Sequence, residues 1–217
     1  MLLTHAALAA AVLLIAAPGT AREKPPGGEA KVPEKATALL VIDIQRFYFE
    51  GGRLPLERPV EASLKARAAL EKFRRLGWPV IHVQHLPEGQ SAPDPEIAVE
   101  AYRFHPNAAP AAGEVLIGKH HANAFRDTAL LETLRRLGVG RVVIAGMQTH
   151  MCLEAAARAA ADLGFEVVVL HDACSTRALS FGGTEVPAAA VHAATLAALA
   201  SSYARVVAAD EFLAELH

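Results

Sequence analysis

Residues 38–43 read Ala38-Leu39-Leu40-Val41-Ile42-Asp43: five apolar side chains without a break, then a carboxylate. An unbroken apolar run of this length fits a strand buried on both faces, the signature of a parallel sheet covered by helices. Downstream, Ala66, Ala69, Leu70, Phe73 and Leu76 recur at helical spacing and Gly77 stops them. The pattern then alternates. Strands are expected at 79–83, 114–117, 141–145, 165–170 and 205–208. Helices are marked by Leu130, Leu134 and Leu137, with Asp127 or Thr128 as cap and Gly138 as stop, by Leu153 to Leu163, and by Pro187 to Ser201. A polar, proline-marked loop spans about 86–113. Strands alternating with helices predict a three-layer α/β/α domain around a mostly parallel sheet.

Composition agrees with a folded domain. The chain has 217 residues, 53% of them hydrophobic, enough to bury a sizeable core. Lys and Arg number 21 against 23 Asp and Glu, and no basic stripe occurs, which argues against nucleic acid as a partner. Two cysteines, Cys152 and Cys174, make neither a disulfide framework nor a CxxC metal knuckle.

The first 21 residues read as an export signal: an apolar run from Leu2 to Ala17, then Pro18, Gly19, Thr20 and Ala21. No Lys or Arg precedes the run, a departure from the usual signal pattern that leaves an uncleaved membrane anchor or a misassigned start codon as the alternative; the run is shorter than a spanning helix needs, and no stable membrane insertion is expected after cleavage. Residues 22–35, rich in Pro and Gly, read as a linker, and the domain as 36–217. The expected location is periplasmic or secreted.

Ligands of open α/β sheets bind beyond the carboxyl ends of the strands. Three reactive residues meet that criterion: Asp43 after the first strand, Lys119 after the strand at 114–117, and Cys152 after the strand at 141–145. A thiol at a helix N-terminus beside a lysine is expected to ionise readily. The carboxylate would be its base, and the lysine would hold both charges.

Val41-Ile42-Asp43-Ile44-Gln45, Gly118-Lys119-His120-His121-Ala122-Asn123-Ala124-Phe125 and Gly146-Met147-Gln148-Thr149-His150-Met151-Cys152-Leu153 resemble the three signature segments of the isochorismatase-like cysteine hydrolases, and Asp172-Ala173 fits too. The resemblance runs from about Ala36 to the C-terminus. It implies a catalytic triad of Asp43, Lys119 and Cys152 that cleaves a small amide through a thioester, with no cofactor and in a homo-oligomer. It also implies a cis peptide at Gln148-Thr149 and an oxyanion hole from the N–H groups of Gln148 and Cys152. Phe47 and Tyr48 match an aromatic wall, and His121 or His120 would line the substrate pocket. Where the nicotinamidase branch carries an Asp-x-His metal motif, this chain has His85-Leu86-Pro87, so no catalytic metal is expected. The presence of Cys152 speaks against the vinyl-ether cleavage of the isochorismate branch. Rival readings are a non-catalytic exported binding protein and a redox protein using Cys152 and Cys174.

Overall fold

The computed structural model describes residues 36–216. The signal expected over 1–21 and the linker over 22–35 lie outside the described residues. Among the described residues no helix is long and apolar enough to cross a membrane.

Among the described residues, eight strands and five α-helices follow in chain order. β1 is Ala36–Ile42, α1 Pro59–Leu76, β2 Val80–His85, β3 Val115–Lys119 and α2 Leu130–Arg136. β4 is Val139–Met147, α3 Glu154–Asp162 and β5 Glu166–Ser175. β6 is Leu179–Phe181, β7 Thr184–Val186, α4 Ala188–Ser202, β8 Arg205–Val207 and α5 Ala209–Ala214. Six strands make one parallel sheet in the order β3-β2-β1-β4-β5-β8.

The unbroken apolar runs are explained by the layers. Successive side chains of a strand point to opposite faces. Leu39, Val41, Val143, Ala145, Val168 and Leu170 pack under α1 and α5. Ala38, Leu40, Ile42, Val142, Ile144, Val167 and Val169 pack under α2, α3 and α4. Both faces are covered, so neither alternate set can be polar. The three-layer α/β/α fold is thus as the sequence implies.

Sheet order fixes where a site can lie. From β1 the chain adds β2 and β3 on one side, then crosses to add β4, β5 and β8 on the other. The switch falls between β1 and β4, the place where ligands of such sheets bind. Asp43 follows the last residue of β1 there, and the segment 148–153 leaves β4 there.

The differences from the sequence reading have local causes. β5 runs on to Ser175 rather than stopping at Leu170, despite the polar pair His171-Asp172. The Asp172 carboxylate accepts the Ala209 N–H at 2.7 Å, so the polar residue is satisfied at the strand edge. The hairpin β6–β7 and the helix α5 were not anticipated. Each is short, and neither displays a full period of apolar residues. β3 begins at Val115, because Glu114 turns inward to bond Arg74 (2.7 and 2.8 Å), His82 Nε2 (2.8 Å) and the Ala111 N–H (2.7 Å).

That cluster gives a pH prediction. Burial raises the Glu114 pKa, but the hydrogen bonds from Arg74, His82 and Ala111 outweigh it and hold the carboxyl well below its ordinary value of 4.5. A depressed folded-state pKa contributes stability that is present above pH 4.5 and is lost as pH falls through the folded value. Glu114→Gln therefore lowers stability by about 1–2 kcal/mol at neutral pH. It also flattens the fall below pH 4.5, as read by urea denaturation across pH.

Candidate active site

Asp43 sits one residue past β1, where its N–H donates to Val83 O at 3.0 Å and its φ is 49°. Lys119 is the last residue of β3 rather than beyond it, in register with His85 of β2. Cys152 lies in a π-helical turn, Thr149–Leu153, that precedes α3. The three side chains meet: Lys119 Nζ stands 2.6 Å from Asp43 Oδ2 and donates to Cys152 Sγ at 3.1 Å. All three residues are buried. Nζ also donates to the His121 carbonyl at 3.1 Å and lies 3.4 Å from His85 Nδ1. The Asp43–Lys119 contact is a charge pair. Apart from its contacts with Lys119 and Cys152, the Asp43 carboxylate has no hydrogen-bond partner among the described residues, so a lone pair is left to receive a proton.

The thiol differs from the sequence expectation. Burial, then the Asp43 carboxylate, push the Cys152 pKa up to about 12, against the opposing pull of Lys119. The helix proper starts only at Glu154, and Cys152 is tucked inside the turn before it. The resting group is therefore the thiol, and a thiolate forms only when the proton is handed on. Lys119 is held above its ordinary pKa: burial opposes the charge, but Asp43 and Cys152 outweigh burial.

The cis bond is Met147-Gln148, not Gln148-Thr149. The ladder of β4 runs through Met147, paired with Ser175, and the Gln148 carbonyl already accepts from Met151 and Leu153. The reversal thus falls one residue earlier, and Thr149 has another function. Its buried hydroxyl bonds His192 Nδ1 at 3.0 Å, while His150 Nδ1 bonds Thr176 Oγ1 at 2.5 Å. These two contacts tie the turn to α4 and to the end of β5.

Of the aromatic pair, Tyr48 faces the candidate centre. Its hydroxyl accepts from Gln148 Nε2 at 3.3 Å, and burial followed by Asp43 and Cys152 raises its pKa. Phe47 is turned into the core beside Tyr102. His121 offers its carbonyl to Lys119, while its ring lies 3.4 Å from Asp127 at the surface.

His85, which the sequence offers only as a metal ligand to be set aside, lies against the candidate centre with its ring beside Lys119. Gln45, wholly buried, grips its backbone on both sides: Oε1 accepts the His85 N–H at 2.9 Å and Nε2 donates to its carbonyl at 3.0 Å. Burial lowers the His85 pKa, which leaves a neutral ring near neutral pH. Ligand atoms of Asp43, His85 and Cys152 lie within 4.8 Å of one another. They do not fit a resident metal ion: the Lys119 ammonium already contacts all three, and Leu86 and Pro87 add no ligand.

Cys174 donates its thiol to Leu170 O at 3.0 Å, and burial raises its pKa. Both cysteines are free thiols. A cavity of about 360 Å³ at the end of β5, lined in part by Lys65, Asp172, Cys174, Thr176 and His192, includes none of Asp43, Lys119 and Cys152. The reactive groups in mutual contact, not that cavity, define the candidate centre.

The Isochorismatase domain model matches residues 37–211. The chain belongs to this family, and it is a hydrolase of the isochorismatase-like α/β fold. It is 41% identical over 82% of its length, and 98% of the relative's, to YddQ, an uncharacterized isochorismatase family protein of Bacillus subtilis. It is 34% identical to a secreted isochorismatase effector, Isc1, of Verticillium dahliae, over 65% of the chain and 73% of the relative. It shares 34% identity with the maleamate amidohydrolase of Pseudomonas putida, over 64% of the chain and 72% of the relative. The crystal structure of an isochorismatase from Pseudomonas putida KT2440 superposes with a TM-score of 0.75 at 34% identity, over 83% of this chain and 92% of that one.

Proposed function

We propose that the chain is a cysteine amidohydrolase that cleaves the C–N bond of a small amide through a thioester. The observation that carries this reading is the contact of Lys119 Nζ with both Asp43 (2.6 Å) and Cys152 (3.1 Å) at the sheet's switch point. The amidohydrolase among its relatives supports the reaction class.

Asp43 takes the Sγ proton as sulfur attacks the amide carbonyl carbon. A thiol with a pKa pushed up to about 12 is a poor leaving proton but a strong nucleophile once deprotonated, so transfer and attack are coupled. Lys119 stays charged and balances the carboxylate before transfer and the developing thiolate after it. The oxyanion is held by the N–H groups of Gln148 and Cys152. The C–N bond then breaks, and the nitrogen leaves with the proton from Asp43. Water attacks the thioester, giving its proton to Asp43. The C–S bond breaks, the acid departs, and the thiol regains its proton. No step uses a cofactor.

The secreted relative supports export of the mature chain, with 1–21 removed, and the family resemblance supports a homo-oligomer. Light scattering of the secreted form tests both.

The functional test is amine release from a panel of small amides by protein spanning 22–217, before and after iodoacetamide treatment with the modified residue mapped by peptide mass. Activity is expected to fall in proportion to alkylation of Cys152. Full activity in enzyme alkylated at Cys152 would overturn the reading.

A further inference from the structure

The Lys119 ammonium has three N–H groups but stands among four acceptors. Asp43 Oδ2 is 2.6 Å from Nζ, Cys152 Sγ and the His121 carbonyl are each 3.1 Å away, and His85 Nδ1 is 3.4 Å away. The three nearer acceptors use the three donors. His85 is left over, at a distance where a hydrogen bond is weak. The ammonium also decides the tautomer. A proton on Nδ1 would point at a cation, so the proton sits on Nε2 and the Nδ1 lone pair faces the centre.

The ring is fixed in this place. Gln45 grips the His85 backbone on both sides, and the register of β2 with β3 sets His85 beside Lys119, whose carbonyl accepts the Leu86 N–H at 2.9 Å. His85 is half-buried where Asp43, Lys119 and Cys152 are buried, so it stands between the centre and solvent.

The spacing suits one water molecule. A carboxylate oxygen of Asp43, a ring nitrogen of His85 and Cys152 Sγ lie within 4.8 Å of one another. A water that donates to two acceptors at about 2.8 Å each, at its near-tetrahedral angle, spans about 4.5 Å. In the first half of the reaction Asp43 receives the thiol proton directly, and no second acceptor is needed. In the second half the reactant is water, which has two O–H groups, and a buried O–H without an acceptor is costly. Lys119 cannot take it, because an ammonium only donates.

We propose that His85 is a catalytic residue of thioester hydrolysis: its Nδ1 accepts one O–H of the attacking water while Asp43 takes the other proton. The water oxygen bonds to the thioester carbonyl carbon, the C–S bond breaks, and sulfur regains its proton from Asp43. His85 keeps its own proton throughout and sets the line of attack. The inference rests on the thioester reading of the site.

The test separates the two halves by loading the enzyme with 4-nitrophenyl acetate. Nitrophenolate release reports formation of the acetyl-enzyme. After rapid desalting, loss of the acetyl group from the peptide containing Cys152 reports its hydrolysis. Asn and Leu share one branched shape, but only Asn offers an acceptor, its Oδ1 placed like Nδ1. In His85→Leu, formation is expected to stay within about threefold of wild type while hydrolysis slows about 30-fold. His85→Ala, which relieves any crowding by leucine, should behave alike. His85→Asn should recover much of the hydrolysis rate. Hydrolysis as fast in His85→Leu and His85→Ala as in wild type would overturn the inference and leave the thioester reading standing. Formation and hydrolysis slowed by the same factor, or His85→Asn no faster than His85→Leu, would do the same. No acetyl group on Cys152 of the wild type would overturn both.

Discussion

Asp43→Asn is expected to abolish turnover while making Cys152 more reactive toward iodoacetamide. The two effects have opposite signs because the carboxylate has two roles. As proton acceptor it is required for attack on a substrate, and loss of a positioned base lowers rates by about 10³–10⁴-fold. As a neighbouring negative charge it helps to hold the thiol proton, second only to burial. Asn removes that charge and leaves Lys119 facing sulfur alone, so the thiol pKa should drop from about 12. One unit of decrease gives roughly tenfold faster alkylation at a fixed pH below the pKa. Alkylation by wild-type enzyme should still be climbing at pH 10, whereas the variant should level off earlier. A variant that loses both turnover and thiol reactivity would indicate a collapsed site. Circular dichroism is the control, because stranding the buried Lys119 charge is itself expected to destabilise by about 3–5 kcal/mol.

Gly146→Ala should remove the folded protein altogether. Gly146 pairs with Ile42 of β1 and Cys174 of β5, and its φ is 141°. An added Cβ would lie 2.0 Å from the Ile42 carbonyl oxygen and 2.8 Å from its carbonyl carbon. Those are backbone atoms of the central strand, so they cannot swing aside as a side chain would. The two central strands would have to separate where Asp43 and the turn of Cys152 diverge. A loss of about 4 kcal/mol or more is expected, read as insoluble protein or a collapsed melting temperature. Alanine at Gly164, where nothing lies within 4 Å of the added Cβ, serves as the comparison, with only the milder strain of its φ of 90°.

The contrast between Asp43 and His85 shows what could be read from the chain alone. Asp43, Lys119 and Cys152 each close an apolar run or open the segment after one. Burial on both faces writes such runs into the sequence, and the rule that parallel sheets bind at their carboxyl ends does the rest. His85 also ends a strand, but its importance comes from lateral register with Lys119, 34 residues away, and from a grip by Gln45 on its backbone. Neither leaves a local pattern. The same holds for His192 on Thr149 and His150 on Thr176, where partners come from elements whose packing no periodicity specifies. The cis bond was placed one residue late because the end of a ladder is set by the partner strand. The thiol's ionisation was misjudged for a related reason. The sequence shows a cysteine before a helix, but not that it is buried against a carboxylate, and burial dominates its pKa.

The most direct test of the central claim is intact-mass spectrometry of enzyme quenched in acid during turnover of a reactive amide. Wild-type protein should gain the mass of the acyl group, located on the peptide containing Cys152, and Cys152→Ala should gain nothing. Turnover with no acyl adduct under any quench, or an adduct on another residue, would contradict a thioester mechanism at Cys152.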